Sequence, residues 1–355
     1  MKWKKGLFAF MLMLVLTALA ACSSDGEDTA STSTGKDGEE GTVETSVVKV
    51  GLLNSLSNSS IYLGDKEGIF EKHGIEIEYV PFQAAQPIAV AAQTGDIHVG
   101  SGALTAGFFS LLAQDANIKL VADSGREAEG HRLTALVASN AAYEAGLTSL
   151  EDLKGKKFGI TSTGSSQHIA IGQMLETTGL TIDDIELVTL GGISNIAAAL
   201  ESNQIDAGLL LSTAGTPLID SGKVQLISWV GDVVEMQTTG VYFGKAMLND
   251  EELATRFLTA YLESVQYYHE TVLGNADQES ESFKQSVATL AEATGIAPEL
   301  IAANPTYVDP NGEVWEENMQ TWVNWFGDNG LLTGEVNVDN IIAKDLHEKA
   351  LTSIK

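Results

Sequence analysis

Residues 84–97 read AAQPIAVAAQTGDI, and the same arrangement returns at 193–207 as ISNIAAALESNQIDA. In each copy, a segment with helical spacing of its apolar residues ends in a turn, and a short apolar run follows. The helical segment ends at Gly95 in the first copy and at Asn203 in the second. Two α/β units of the same kind predict two similar lobes.

Apolar runs of strand length alternate with helical patterns along the chain. Ten runs are strand candidates, namely 47–53, 75–82, 97–100, 118–124, 133–139, 157–162, 185–190, 207–211, 224–230 and 240–244. This alternation favours parallel sheets with helices covering their faces, and so predicts an α/β fold class. After about Lys245 the pattern is helical to the end, with long stretches at 256–273, 281–293 and 314–326.

The N-terminal residues have the pattern of a secretory signal. Three lysines precede an apolar run at 7–21, and small residues follow just before Cys22, the only cysteine in the chain. The run is short for a transmembrane helix, which needs about 20 apolar residues. The ending Leu19-Ala20-Ala21-Cys22 resembles the lipobox of bacterial lipoproteins. That resemblance implies a signal peptide at 1–21, diacylation of Cys22, and a lipid-anchored protein on the extracytoplasmic face of the cell membrane.

The remaining chain is strongly acidic. Without residues 1–21 it has 17 basic and 48 acidic residues, a formal charge of −31. Such a surface repels nucleic acid and anionic lipid headgroups, so we expect no nucleic-acid partner and a lipid rather than a basic patch as the anchor. Residues 22–46 are Ser, Thr, Gly, Asp and Glu with few apolar side chains, which predicts a disordered acidic spacer.

Five stretches in order resemble a known family. They are 61–75 (IYLGDKEGIFEKHGI), 89–97 (AVAAQTGDI), 149–160 (SLEDLKGKKFGI), 191–208, which repeats the helix and turn, and 330–332 (GLL). Together they resemble the solute-binding proteins of ABC importers for sulfonates, nitrate, taurine and thiamine precursors. Each stretch alone is weak, but the resemblance runs from about Val47 to Ile342.

The resemblance implies a fold and a function. The fold would be a two-lobe, periplasmic-binding-protein-like clamp of type II topology with a helical C-terminal region. Lobe one would span 47–136 plus 241–355 and lobe two 137–240, with hinge crossovers near 133–139 and 238–243. The function would be to capture a small organic anion, a sulfonate or carboxylate, and deliver it to ABC permease subunits as a monomer. The alternative ligand is a pyrimidine, a thiamine precursor or another neutral aromatic solute.

The loops that should bind this ligand follow from the fold class. In open α/β sheets, ligands bind beyond the carboxyl ends of the strands. Polar loops follow the strand candidates at 54–60, 100–105, 161–168 and 212–216, and another lies at 237–239. The segment 161–166 offers five hydroxyls and a glycine at a helix start, where free N–H groups favour an anion or an acceptor oxygen. Ordinary N-capping by Ser165 or Ser166 is the other interpretation.

These loops and the family's pattern give the candidate ligand contacts. They are Asn54, Ser55, Asn58, Gly102, Ala103, Thr163, Gly164, Ser165, Ser166, His168, Thr213 and Thr238.

The sequence leaves the roles of several other side chains undecided. His131 and His168 could be packing residues. Arg126 and Arg132 could face an anion, or pair with Glu127 and Glu129. The three tryptophans 315, 322 and 325 are expected in the core, whereas Trp229 and Tyr62 could stack on a planar ligand.

The chain lacks the metal, phosphate-loop and nucleophile motifs of common enzymes, so we expect no metal, no cofactor and no catalysis. The same family pattern occurs in a pyrimidine-synthase branch, which is the enzyme alternative. That branch needs reactive side chains such as cysteines, and the one cysteine here is assigned to the lipid. A lipoprotein that senses a ligand without serving a transporter is the third possibility.

Overall fold

The structure is a computed structural model that describes residues 45–114 and 117–354. The predicted signal peptide at 1–21, Cys22 and all but the end of the predicted spacer lie outside the described residues.

Ten strands occur in the described residues, and each overlaps one of the predicted runs. They are β1 (Ser46–Leu52), β2 (Ile75–Pro81), β3 (Val99–Ala103), β4 (Lys119–Glu127), β5 (Thr134–Ser139), β6 (Lys157–Ile160), β7 (Glu186–Thr189), β8 (Ala207–Leu211), β9 (Val224–Trp229) and β10 (Met236–Phe243). The first strand begins at Ser46, the last residue assigned to the spacer, whose N–H donates to the carbonyl of Gly74.

Fifteen α-helices are described in the same residues. They are α1 (Ser59–Lys66), α2 (Ile69–Lys72), α3 (Ala85–Thr94), α4 (Ala106–Gln114), α5 (Asn140–Glu144), α6 (Ser166–Glu176), α7 (Ile193–Glu201), α8 (Ser212–Asp220), α9 (Lys245–Leu248), α10 (Glu251–Tyr268), α11 (Glu281–Thr294), α12 (Pro298–Ala303), α13 (Glu316–Asp328), α14 (Val338–Ile341) and α15 (Lys344–Ile354). A π-helical turn, His269–Leu273, extends α10.

The strands form two five-stranded sheets. Sheet one has the order β2-β1-β3-β10-β4, and sheet two has the order β7-β6-β8-β5-β9. β10 runs antiparallel to β3 and β4, and β5 runs antiparallel to β8 and β9. Each sheet is therefore mixed, with the predicted parallel pairing among β1, β2 and β3 and among β6, β7 and β8.

The antiparallel strands are those that the chain enters from the other sheet. It leaves sheet one after β4 and returns after β9, through crossovers at 128–133 and 230–235. β5 and β10, the strands that the chain enters from the other sheet, cover most of the predicted crossover positions near 133–139 and 238–243. We call the two segments 128–133 and 230–235 the hinge.

Helices from both ends of the chain cover sheet one. On one face, Ile61 and Leu63 of α1 pack with Phe257 and Tyr261 of α10 against β1. On the other face, a continuous cluster runs from Phe108 and Phe109 of α4 through Trp322 and Trp325 of α13 to α6 beside sheet two. Full burial of such side chains stabilises the fold by about 1.5–3 kcal/mol each. The prediction that Trp322 and Trp325 are core residues is confirmed.

Candidate functional site

The topology brings one edge of each sheet to the hinge. Each crossover leaves the carboxyl end of a strand and enters the amino end of an antiparallel strand. In the sheet that the crossover enters, this amino end lies beside the carboxyl ends of the two neighbouring strands. Because both crossovers are short, the carboxyl edges of the two sheets face each other. We call the space between these edges the cleft.

Helices follow the parallel strands at these carboxyl edges. Nearest the middle of the sheets, α1 and α4 follow β1 and β3 in sheet one, and α6 and α8 follow β6 and β8 in sheet two. The N-terminus of a helix carries a partial positive charge and unpaired N–H groups. The cleft therefore favours a ligand with an anionic or strongly accepting end.

The two sides of the cleft touch at the start of α4. The N–H of Ala106 donates to the carbonyl of Gly164 at 2.9 Å. Gly164 has a left-handed backbone (φ 77°), and a β-carbon placed on it would lie 2.9 Å from Cβ of Ala106. The predicted site residue Gly164 is thus a point of contact between the two sides.

Gly125 and Thr306, which the sequence did not single out, meet residues of two predicted loops on the sheet-one side of the cleft. A β-carbon on Gly125 would lie 2.7 Å from Oγ1 of Thr239, 3.0 Å from Cγ2 of Thr306 and 3.6 Å from Cβ of Ser57. Thr306 is 2% exposed, and its Oγ1 has no hydrogen-bond partner in the part of the chain that the structure describes. Ser57 and Thr239 belong to the predicted loops 54–60 and 237–239, whereas no sequence pattern marked Thr306.

The predicted contacts of the first loop are engaged in local structure. Nδ2 of Asn54 donates to the carbonyl of Thr294 at 2.8 Å. Oγ of Ser55 accepts from the N–H of Ser57 and caps a 3₁₀ turn. Nδ2 of Asn58 donates to the carbonyl of Leu53, whereas its buried Oδ1 has no partner among the described residues.

The remaining sheet-one candidates lie at the strand ends. Gly102 and Ala103 end β3, and a β-carbon on Gly102 would make only ordinary contacts of 3.6 Å or more. Oγ1 of Thr238 donates to the carbonyl of Gly125 at 3.2 Å, and the carbonyl of Thr238 accepts from the N–H of Leu104. Thr238, which lies on β10, therefore joins β4 to the end of β3 at the cleft.

On the sheet-two side, Ser165 is the N-cap of α6. Its Oγ accepts from the N–H of His168 at 3.3 Å, so the capping interpretation is confirmed for this residue. Thr163 is exposed, Ser166 is half-buried in the first turn of α6, and Thr213 is half-buried in the first turn of α8. These three hydroxyls remain the predicted ligand contacts on this side.

His168 has a packing role. It is 5% exposed, and its ring meets that of Trp325 edge to face at 5.2 Å. Nδ1 accepts from the N–H of Gly164 at 3.1 Å. Burial lowers the pKa of His168, so the neutral ring is favoured. His168 therefore supports the loop at Gly164, and a direct ligand contact stays a prediction.

Both candidate arginines have partners other than those expected. Nε of Arg126 lies 2.8 Å from Oδ2 of Asp123, and its guanidinium lies 5.5 Å from the ring of Trp315. It pairs with Asp123 and, at 3.6 Å, with Asp309 rather than with Glu127 or Glu129.

The aromatic candidates are also engaged. The guanidinium of Arg132 lies 5.6 Å from the ring of Trp229. Tyr62 is buried and packs against Tyr79, with ring centroids 5.7 Å apart. The ring of His131 lies 4.8 Å from that of Tyr307.

Within residues 45–114 and 117–354, no helix is both long and apolar enough to cross a membrane. In the same residues, His, Cys, Asp and Glu side chains do not form a group of three or more that could hold a metal ion.

The family model described as NMT1/THI5 like matches residues 57–271, which is more than half of the chain. The chain belongs to the NMT1/THI5-like family. This confirms the family that the sequence motifs suggested. Comparison with curated protein sequences gave no match.

Solved structures similar to this NMT1/THI5-like protein include three binding proteins for small anions. The aliphatic sulphonate binding protein SsuA from Escherichia coli is 19% identical with a TM-score of 0.67, and the match covers 86% of this chain and 100% of that one. The alkanesulfonate-binding protein SsuA from Xanthomonas axonopodis pv. citri, bound to MOPS, is 18% identical with a TM-score of 0.65, covering 85% and 99%. The nitrate-binding protein NrtA from Synechocystis PCC 6803 is 12% identical with a TM-score of 0.68, covering 88% and 90%. At these identities the likeness shows the fold, which is the two-lobe α/β clamp that the sequence predicts.

Proposed function

We propose that this protein is the extracytoplasmic solute-binding component of an ABC importer. It binds a small organic anion, a sulfonate or a carboxylate, in the cleft and delivers it to the permease subunits. The observation that carries the proposal is the topology at the hinge, which turns the carboxyl edges of two sheets and four helix N-termini toward one space. The sulfonate- and nitrate-binding proteins of the same fold support it.

The charge of the ligand follows from the groups that are free to bind it. Arg126 is paired with Asp123 and Asp309, and Arg132 lies over Trp229. A doubly charged anion favours bidentate guanidinium contacts, and these two guanidinium groups are already engaged. We therefore expect a singly charged anion held by N–H groups and by hydroxyls such as those of Ser166 and Thr213.

The structure gives less support to a neutral aromatic ligand. Tyr62 is buried against Tyr79, and Arg132 occupies one side of Trp229. Both residues that could have stacked on such a ring already have a partner. A pyrimidine or thiamine precursor is therefore a test compound rather than a second proposal.

A thermal-shift screen of the full chain with sulfonates, aromatic carboxylates, nitrate, taurine and pyrimidines tests the function. A ligand at a hundredfold excess over its dissociation constant stabilises the protein by about 2.7 kcal/mol. We expect singly charged sulfonates or carboxylates to raise the melting temperature. If only cations or neutral rings raise it, the proposed ligand class is wrong.

The bodies that move on binding are proposed to be the lobes built on sheet one and sheet two, joined at the hinge, in a monomer. The anchor is proposed to be a lipid on Cys22, placed by the signal at 1–21. Mass spectrometry of the mature N-terminus tests the anchor. An uncleaved chain or an unmodified Cys22 would rule it out.

A further inference from the structure

Leu211 is an exposed apolar side chain at the end of a buried strand. It is the last residue of β8, whose four other residues are buried, and it is 38% exposed. β8 is the central strand of sheet two, so both of its long edges are paired. None of the three apolar clusters among the described residues includes Leu211. Its exposed surface therefore borders the cleft, at the carboxyl edge of the sheet.

The alternation of side chains along β8 turns Leu211 toward the face that α6 covers. Leu209 belongs to the apolar cluster that contains Ile169 and Met174 of α6. Leu210 belongs to a different cluster on the opposite face. Successive side chains of a strand point to opposite faces, so Leu211 shares the face of Leu209.

Leu211 also extends beyond the neighbouring strand. β6 and β8 are parallel and pair Gly159 with Gly208, and β6 ends at Ile160. Counted in the same register, Leu211 is level with Ser162 in the hydroxyl-rich segment that follows β6. α6 starts only after this segment, which leaves the side chain of Leu211 exposed on that face.

The two helix starts beside Leu211 hold the proposed contacts for the anion. Nε2 of Gln167 donates to the carbonyl of Leu209 at 3.0 Å and so fixes the first turn of α6, which includes Ser166, to β8. Leu211 is itself the N-cap residue of α8, which has no side-chain cap, and Thr213 follows in the first turn of that helix. Leu211 is thus adjacent to both sets of hydroxyl and N–H groups.

We propose that Leu211 is a specificity-determining residue that binds the apolar part of the ligand. An acid group held at Ser166 and Thr213 brings the substituent that it carries against this side chain. The inference rests on the proposed function and narrows its ligand class to a singly charged sulfonate or carboxylate with a hydrocarbon body. Nitrate has no such body, and taurine carries an ammonium group in its place, so both should bind weakly.

The expected effect follows from the burial of hydrocarbon. Each methylene group removed from water contributes about 0.8 kcal/mol, which corresponds to an increase in affinity of about fourfold. Affinity should therefore rise by about fourfold per methylene until the hydrocarbon body extends beyond Leu211. A polar side chain at this position should reduce the increase, because the hydrocarbon would then cover a polar group.

Titration calorimetry of the full chain with two series of compounds measures this dependence. One series runs from methanesulfonate to linear hexanesulfonate, and the other runs from acetate to linear hexanoate. In the parent protein we expect the affinity for at least one series to rise by about fourfold per methylene. In L211Q the increase should be about twofold or less. Glutamine is not a preferred helix-capping residue, so the substitution leaves the start of α8 uncapped as before.

The matched control is V47Q, which makes the same replacement at an apolar side chain that is 49% exposed. Val47 lies at the amino end of β1, away from the carboxyl edge that borders the cleft, so V47Q should keep the chain-length dependence of the parent. L211A is the second variant if L211Q fails to fold, and it should also reduce the increase because it removes most of the apolar contact.

Two kinds of result would overturn the inference and leave the proposed function intact. One is a parent that binds all members of a series with equal affinity. The other is an increase per methylene in L211Q or L211A that equals that of the parent, or an increase in V47Q that is as low as that of L211Q. A parent that binds neither series would instead contradict the ligand class of the proposed function, and this inference with it.

Discussion

Gly164 is the residue at which the two sides of the cleft meet. Its carbonyl accepts from Ala106, and its N–H donates to His168, which is held in turn by Trp325. The sequence predicted the glycine-containing, hydroxyl-rich segment around it, because that segment offers five hydroxyls at a helix start where capping needs one. It could not predict Gly125 or Thr306, which join the cleft from distant parts of the chain.

G164A should weaken ligand binding because the added methyl group overlaps Ala106 in the closed form. Overpacking typically costs about 1–3 kcal/mol, so we expect affinity to fall by roughly tenfold. The control is G179A, which has a similar backbone (φ 79°) but no neighbour within 4 Å. Both variants should lose about 1–2 kcal/mol of stability from the left-handed backbone. Equal affinities for G164A and G179A in titration calorimetry would contradict the contact.

Substitutions of Ser165 and Ser166 should distinguish helix capping from ligand binding. S165A removes the cap of α6 and should lower the free energy of unfolding by about 1 kcal/mol. S166A should leave stability unchanged but weaken binding by at least about tenfold, since a hydrogen bond to a charged ligand contributes roughly 1.5–3 kcal/mol. Chemical denaturation and calorimetry on both variants measure this. Unchanged affinity in S166A would show that the segment serves only the helix.

At the element scale, the ten strands were predictable and their directions only in part. Apolar runs mark strands, but the repeated strand–helix alternation suggests parallel pairing everywhere. β5 and β10 are antiparallel to their neighbours because the chain enters them from the other sheet. No local sequence pattern indicates this change of sheet. The predicted crossover positions near 133–139 and 238–243 coincide largely with β5 and β10, but composition does not mark where the connecting segments 128–133 and 230–235 end.

The segment 307–315 is fixed to β4 by Arg126. Its guanidinium pairs with buried Asp123, lies over Trp315, and donates to the carbonyl of Glu313. R126M should leave Asp123 buried without its cation, which costs about 3–5 kcal/mol. R132M is the control because Arg132 is exposed and loses only a cation–π contact of about 0.5–1 kcal/mol. Similar urea midpoints for both variants would show that Arg126 is not structural.

At the scale of the whole molecule, the clamp fold explains why polar loops from distant parts of the chain form one site. A ligand closes the lobes only if it binds the closed form better than the open one. The proposed contacts from both sheets would supply that difference. A continuous core also runs from α4 through α13 to α6 and joins the two sides of the cleft.

Small-angle X-ray scattering of residues 45–355, with and without the best sulfonate or carboxylate from the screen, tests the central claim. We expect the radius of gyration to fall on adding ligand, and we expect G164A to show a smaller fall than G179A at equal saturation. A radius of gyration that does not change at saturating ligand would contradict closure of the cleft around a bound anion.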